Sequence, residues 1–174
     1  MRKLIFICAL LLSCACVASA QNNRAFKKGY EGSIELGNYA VFGKEKAGAM
    51  IQAATTHGYR FGNGMFFGVG IGLGYDFDSR GAVIPAFLDA KYNFVDAGVS
   101  PFISARTGLR IWEEGPEYGR QPFIAVAAGV DAGHLSVKLG YDYGDRYVEK
   151  VAAGQRISGF IKPSQLYCSF AFKF

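Results

Sequence analysis

Met65-Phe66-Phe67-Gly68-Val69-Gly70-Ile71-Gly72-Leu73-Gly74-Tyr75-Asp76-Phe77 sorts its residues into two sets of opposite character. Phe67, Val69, Ile71, Leu73, Tyr75 and Phe77 fall on one parity, and Gly68, Gly70, Gly72, Gly74 and Asp76 on the other. Side chains along a strand alternate faces, so a strand separates these sets and a helix does not. Bulky apolar groups opposite glycines and a carboxylate suit a sheet with lipid on one side and a polar interior on the other. An eleven-residue strand, at about 3.3 Å per residue and roughly 40° of tilt, rises about 28 Å against an apolar band of about 25 Å.

Working outward from this strand, Gly62-Asn63-Gly64 is a tight-turn signal that joins it to a preceding period-two segment at 49–61. Further segments lie at 29–39, 83–94, 102–112, 122–131, 135–143 and 164–174, eight in all. Regular spacing of this kind predicts an all-β, up-and-down antiparallel sheet. Turns at 62–64, 95–101 and 131–134 fall on the side of the chain ends, and the longer, more charged connections at 40–48, 78–82, 113–121 and 144–163 fall on the other. Short turns toward the periplasm and longer loops outside are the habit of outer-membrane barrels.

Taking the bulkier apolar parity of each segment as outward places no charge on the outer face. The opposite face carries Glu31, Glu35, Arg60, Asp76, Asp89, Lys91, Arg106, Arg110, Asp131, Lys138, Asp142 and Lys173. A charge facing lipid at mid-depth costs about 2–4 kcal/mol, whereas one facing a polar interior finds a partner. The segment at 122–131 is the weakest, because Phe123 and Ala125 make its inner face apolar too. Aromatic residues gather at strand ends, with Tyr30, Tyr59, Phe61, Tyr92, Phe94, Phe172 and Phe174 at one boundary and Tyr75, Phe77, Trp112, Tyr141 and Tyr143 at the other. Two such girdles suit rings that sit between water and hydrocarbon.

The N-terminus has the parts of a secretory signal: Arg2 and Lys3, an apolar run at 4–17, and Ala18-Ser19-Ala20 before Gln21. Residues 1–20 are therefore expected to be removed, leaving 21–174 as one barrel domain. Cys8, Cys14 and Cys16 leave with that segment, and Cys168 remains. Lipidation at Cys14 or Cys16 is the alternative, disfavoured by the residues before them. Loss of Arg2 and Lys3 lowers the net charge from +5 to about +3, and no Lys/Arg cluster points to nucleic acid. After the signal no apolar run is long enough for a helical span.

The chain resembles the small eight-stranded outer-membrane barrels of Gram-negative bacteria, the OmpA/OmpX type. The resemblance covers residues 25–174, and its most specific element is the terminal motif Leu166-x-Cys168-x-Phe170-x-Phe172-x-Phe174. It implies an outer-membrane location, and a last strand read by the barrel-assembly machinery through Leu166, Phe170, Phe172 and Phe174. Cys168 departs from the aliphatic or aromatic residue usual there. The connection at 78–82 is short for the family, which argues against loop-based adhesion.

Candidate chemistry is sparse. The glycines at 68, 70, 72 and 74 do not form a dinucleotide fingerprint, which needs a helix after the strand. Facing inward, they leave room for long side chains from other strands or let the sheet coil sharply. Glu31 and Glu35 are expected to pair with Arg106, Arg110 and Lys138 inside the bore, filling it with matched charges. An eight-stranded barrel is only just filled by its side chains, so no general diffusion pore is expected. His57 is expected to face outward near a boundary and His134 to lie in a turn, about as far apart as a barrel allows, which suits neither a catalytic triad nor a metal site. The acidic stretch Glu113-Glu114-Gly115-Pro116-Glu117 reads as a solvated loop, or as a divalent-cation or lipopolysaccharide contact. The segment 145–163, with Arg146, Lys150, Arg156 and Lys162, is the expected ligand or partner surface.

The reading is an outer-membrane barrel with a structural or surface-interaction role, not an enzyme, without cofactor or metal. It is expected to be monomeric, with outer-membrane lipids, lipopolysaccharide and the assembly machinery as partners. A narrow channel is one alternative. A secreted, lipocalin-like soluble barrel, with the apolar parity turned into a closed cavity, is another.

Overall fold

The computed structural model describes residues 25–42, 48–77, 81–112, 120–144, 146–152, 155–161 and 164–174. The signal segment 1–20 and the acidic stretch at 113–117 lie outside them. Ten strands follow in order: β1 Gly29–Phe42, β2 Gly48–Arg60, β3 Met65–Asp76, β4 Gly81–Asn93, β5 Val99–Trp112, β6 Arg120–Ala132, β7 Leu135–Gly144, β8 Arg146–Ala152, β9 Gln155–Ile161 and β10 Ser164–Lys173. Eight form a closed barrel in the order β1-β10-β7-β6-β5-β4-β3-β2, all neighbours antiparallel. These are the eight segments read from the sequence. The segment 144–163, expected to be a plain connection, instead contains β8 and β9, paired as a separate two-stranded ribbon from Arg146↔Ile161 to Ala152↔Gln155. Its side chains lie outside what is described.

Closure runs from Ser33↔Lys173 to Phe42↔Ser164. The last residue extends the ladder, because Gly32 N donates to Phe174 O at 2.8 Å and Phe174 N to Gly32 O at 2.9 Å. No strand edge is left open in the ring, so its backbone groups pair within it, as a bilayer requires. The β2–β3 turn works as its composition predicts. Gly62 (φ 79°) and Gly64 (φ 87°) take left-handed conformations that a side chain disfavours, and Asn63 Oδ1 accepts from Met65 N at 3.1 Å.

Orientation is decided by exposure. Phe67, Ile71 and Leu73 are 49%, 55% and 61% exposed, and Leu36, Leu88, Leu139 and Phe170 share that outer surface. The soluble alternative needs this row inside the ring; it is outside. Each sequence-assigned inner charge is buried or half-buried. Burying apolar groups normally drives folding, so a continuous apolar exterior marks a contact surface.

The inward glycines of β3 make room for β4. A Cβ on Gly70 would overlap the Phe87 ring, and one on Gly74 would lie 2.7 Å from Val83 Cγ1. The apolar inner face of β6 also finds its explanation. Phe123, Ala125 and Ala127 are buried with Tyr39, Met50, Val83, Phe87, Tyr167 and Trp112, which is therefore inside the bore and not in the girdle expected for it. The bore is thus filled partly by an apolar cluster, which the expectation of ion pairs alone did not include.

Candidate functional site

Among the described residues three ionic groupings occupy the bore, ordered from the rim that carries the chain ends toward the opposite rim. At the terminal rim, Arg60 closes β2 and Glu31 opens β1 beside it, since Gly29↔Arg60 sets the register. Arg60 Nε and Nη2 donate to the two Glu31 oxygens at 2.7 and 2.8 Å, and Nη1 donates to Asn93 Oδ1 at 2.8 Å. Lys91 Nζ bridges Glu31 and Asp131, each at 3.2 Å. Lys173 Nζ reaches Asp131 at 2.9 Å. The bidentate fork fixes Arg60 in plane, while the lysines act as point charges.

The middle grouping is centred on Glu35. Arg106 Nη1 and Nη2 donate to its two oxygens at 3.0 and 2.5 Å, and Lys138 Nζ donates to Oε2 at 2.9 Å. Arg106 Nε turns to Asp89 Oδ2 at 2.7 Å, across the direct β4–β5 pair Asp89↔Arg106. The Arg106 guanidinium lies 4.6 Å from the Phe87 ring centre. Nearer the opposite rim, Arg110 pairs with Asp142, and its guanidinium sits 4.3 Å over Phe123. Tyr39 and Tyr167 stack beside these groups with centroids 5.0 Å apart.

The sequence-assigned network is thus divided. Glu35, Arg106 and Lys138 meet. Glu31 does not join them; it pairs with Arg60 and Lys91, because it lies four residues nearer the rim on a tilted strand. Arg110 pairs with Asp142 instead of either glutamate. Asp89, Asp131, Lys91 and Lys173 were legible as inward charges but not as partners, since stagger between strands sets who meets whom. Six cations (Arg60, Lys91, Arg106, Arg110, Lys138, Lys173) face six carboxylates (Glu31, Glu35, Asp76, Asp89, Asp131, Asp142), so the described bore is neutral.

Between the first two groupings lies a cavity of about 30 Å³, lined by Thr56, Asp89, Ser104 and Ser169 among others. The hydroxyls of Thr56, Ser104 and Ser169 and Asp89 Oδ1 make no protein hydrogen bond. That size and polarity suit one or two water molecules. A wider recess of about 160 Å³ opens at the terminal rim. This arrangement holds charge and excludes large solutes.

On the outer face, Leu166, Phe170, Phe172 and Phe174 form one exposed row of β10, with half-exposed Cys168 between them. His57 is exposed on β2. Its Nδ1 lies 2.5 Å from Tyr30 Oη and its Nε2 2.9 Å from Thr55 Oγ1, and Thr55 Oγ1 also donates to Ser33 O at 3.2 Å. The expected wide separation of the histidines is corrected by ring closure. His57 packs against Phe174 and His134 against Phe172, so both flank the end of β10.

A closed eight-stranded antiparallel ring with an apolar exterior and a charged, filled interior defines a membrane-spanning β-barrel of the outer-membrane class. No protein-family model matches the chain, and no curated protein matches it. Solved structures of this class do. Neisserial surface protein A, NspA, aligns with a TM-score of 0.56 at 17% identity, over 85% of this chain and 99% of its own. The N-terminal β-barrel domain of Pseudomonas aeruginosa OprF gives 0.50 at 16% identity, over 85% and 100%. The outer membrane enzyme PagL gives 0.52 at 14% identity, over 83% and 98%. At such identities the likeness is one of fold, and PagL shows that this fold also serves a catalyst.

Proposed function

We propose that this chain resides in the outer membrane as a filled barrel with a structural or surface-interaction role in the envelope, and that it is not an enzyme. The observation that carries this reading is the bore: matched ion pairs and packed aromatics leave a cavity of only about 30 Å³ between the first two groupings. A hydrated ion with its shell needs more space than one or two waters. The non-enzymatic reading is supported by His57, whose ring nitrogens face Tyr30 and Thr55, with no carboxylate in either contact. In this reading residues 1–20 are removed on export, and 21–174 is the working domain. Leu166, Phe170, Phe172 and Phe174 present the assembly signal, the apolar belt contacts lipid and lipopolysaccharide, and the barrel works as a monomer.

Membrane fractionation, heat-dependent mobility in detergent gels and planar-bilayer recording test this together. The expected result is recovery with outer membranes, a folded band that shifts on boiling, and no discrete current steps. Discrete openings would hand the reading to a narrow channel. Release into the aqueous phase without detergent would overturn the membrane assignment.

A further inference from the structure

Over residues 25–28, just before β1, the chain does not leave the ring. Residues 25–28 turn back over its mouth, held at three places. Arg60 Nη1, inside the bore, donates to Ala25 O at 2.9 Å. Phe26 N donates to Asp96 Oδ1 at 3.0 Å, on the turn between β4 and β5. The Phe26 ring lies over the β2–β3 turn, where a Cβ on Gly64 would be 2.8 Å from Phe26 Cε1. Four residues thus tie together the start of β1, the β2–β3 turn and the β4–β5 turn. They also supply Ala25, Lys27 and Lys28 to the wall of the 160 Å³ recess, whose inner wall is Glu31, Arg60, Asp131 and Lys173.

The point where this segment leaves β1 is Gly29, with φ 147°, a conformation open to glycine and costly for other residues. Nothing lies within 4 Å of where its Cβ would be, so conformation and not space selects glycine there. Above the recess, the 30 Å³ cavity shares Glu31 and Lys173 with it. The segment therefore forms one wall of the recess that leads from the rim to the first ionic grouping.

We propose that residues 25–28 form a hinged strap, pivoting at Gly29 and latched by Asp96 and Arg60, that narrows the terminal mouth and controls access of small water-soluble molecules to the inner charges. Both latches are single hydrogen bonds, and the Asp96 bond is exposed, so the strap opens without unfolding the ring. This goes beyond the envelope role and rests only on the closed barrel.

The test uses the refolded barrel in lipid vesicles, with Cys168→Ser and a reporter thiol at Ser33→Cys, whose native hydroxyl-bearing side chain lines the inner cavity. Two readouts are taken: hydrogen exchange of the Phe26 amide, and the rate at which 2-aminoethyl methanethiosulfonate modifies the thiol at position 33. With the strap intact, the amide is protected and labelling is slow. Asp96→Ala cuts a latch, and Gly29→Ala, which meets no neighbour, disfavours the closed hinge. Either is expected to remove the protection and speed labelling, Asp96→Ala by about tenfold, the order expected for losing a hydrogen bond to a charged group. Boiling-dependent gel mobility confirms that each variant keeps its barrel. An unprotected Phe26 amide in the parent, or a labelling rate unchanged by both substitutions, would overturn the proposal.

Discussion

Glu35→Gln removes one charge from the bore and almost no volume. In the native grouping two carboxylates, Glu35 and Asp89, meet two cations, Arg106 and Lys138, and all four side chains are at most 8% exposed. The substitution leaves two cations facing one carboxylate, with room beside them for one or two waters only. Breaking a buried pair by removing one partner costs about 3–5 kcal/mol. Glu35 accepts from both Arg106 and Lys138, which puts this variant at the upper end of that range. Lys138→Met is expected to be destabilising as well, because it leaves two carboxylates for Arg106. The double variant restores one carboxylate to one cation. Its cost is therefore predicted to fall below the sum of the singles by about 2 kcal/mol, within the coupling found between direct neighbours. Urea unfolding in lipid vesicles, followed by the fluorescence of Trp112, the only tryptophan and buried in the bore, measures all three. A Glu35→Gln variant within about 0.5 kcal/mol of the parent, or strictly additive costs, would refute the neutrality reasoning.

On the outer face, Leu73→Arg places a charge in the apolar belt and is expected to cost about 2–4 kcal/mol in the same unfolding assay. Gly70→Ala is expected to destabilise because its Cβ meets the Phe87 ring, and Phe87→Leu in the same chain should recover part of that loss; recovery is read as a higher urea midpoint for the pair than for Gly70→Ala alone. Removal of Phe174 deletes both hydrogen bonds to Gly32 at the closing seam, so a lower folded fraction on heat-dependent gels is expected, together with poorer insertion in cells.

The fold was legible because lipid imposes a rule with period two, and the row from Phe67 to Phe77 obeys it at every position. Each inner charge could be assigned to its face for the same reason. Partnership was less legible. Glu31 and Glu35 share a parity, yet the tilt of β1 delivers one to Arg60 and Lys91 and the other to Arg106 and Lys138. Parity fixes the face of a side chain but not its height against strands several places round the ring. Closure was the second gap. Along the chain His57 and His134 look remote, but the β1–β10 seam leaves only β1 and β10 between their flanking strands β2 and β7. The β8–β9 ribbon falls within the stretch read from the sequence as one long connection between the seventh and eighth barrel strands. The strap was hidden for a simpler reason, since its two hydrogen bonds, through Ala25 O and Phe26 N, use backbone atoms that carry no sequence signal.

Fluorescence quenching by brominated lipid acyl chains reports directly which side of the wall meets hydrocarbon. Native Trp112, 4% exposed and inside, is predicted to resist quenching, whereas a Leu73→Trp reporter in a Trp112→Phe background is predicted to be strongly quenched. Quenching of Trp112 with a silent reporter at position 73 would contradict the placement of the apolar belt against lipid.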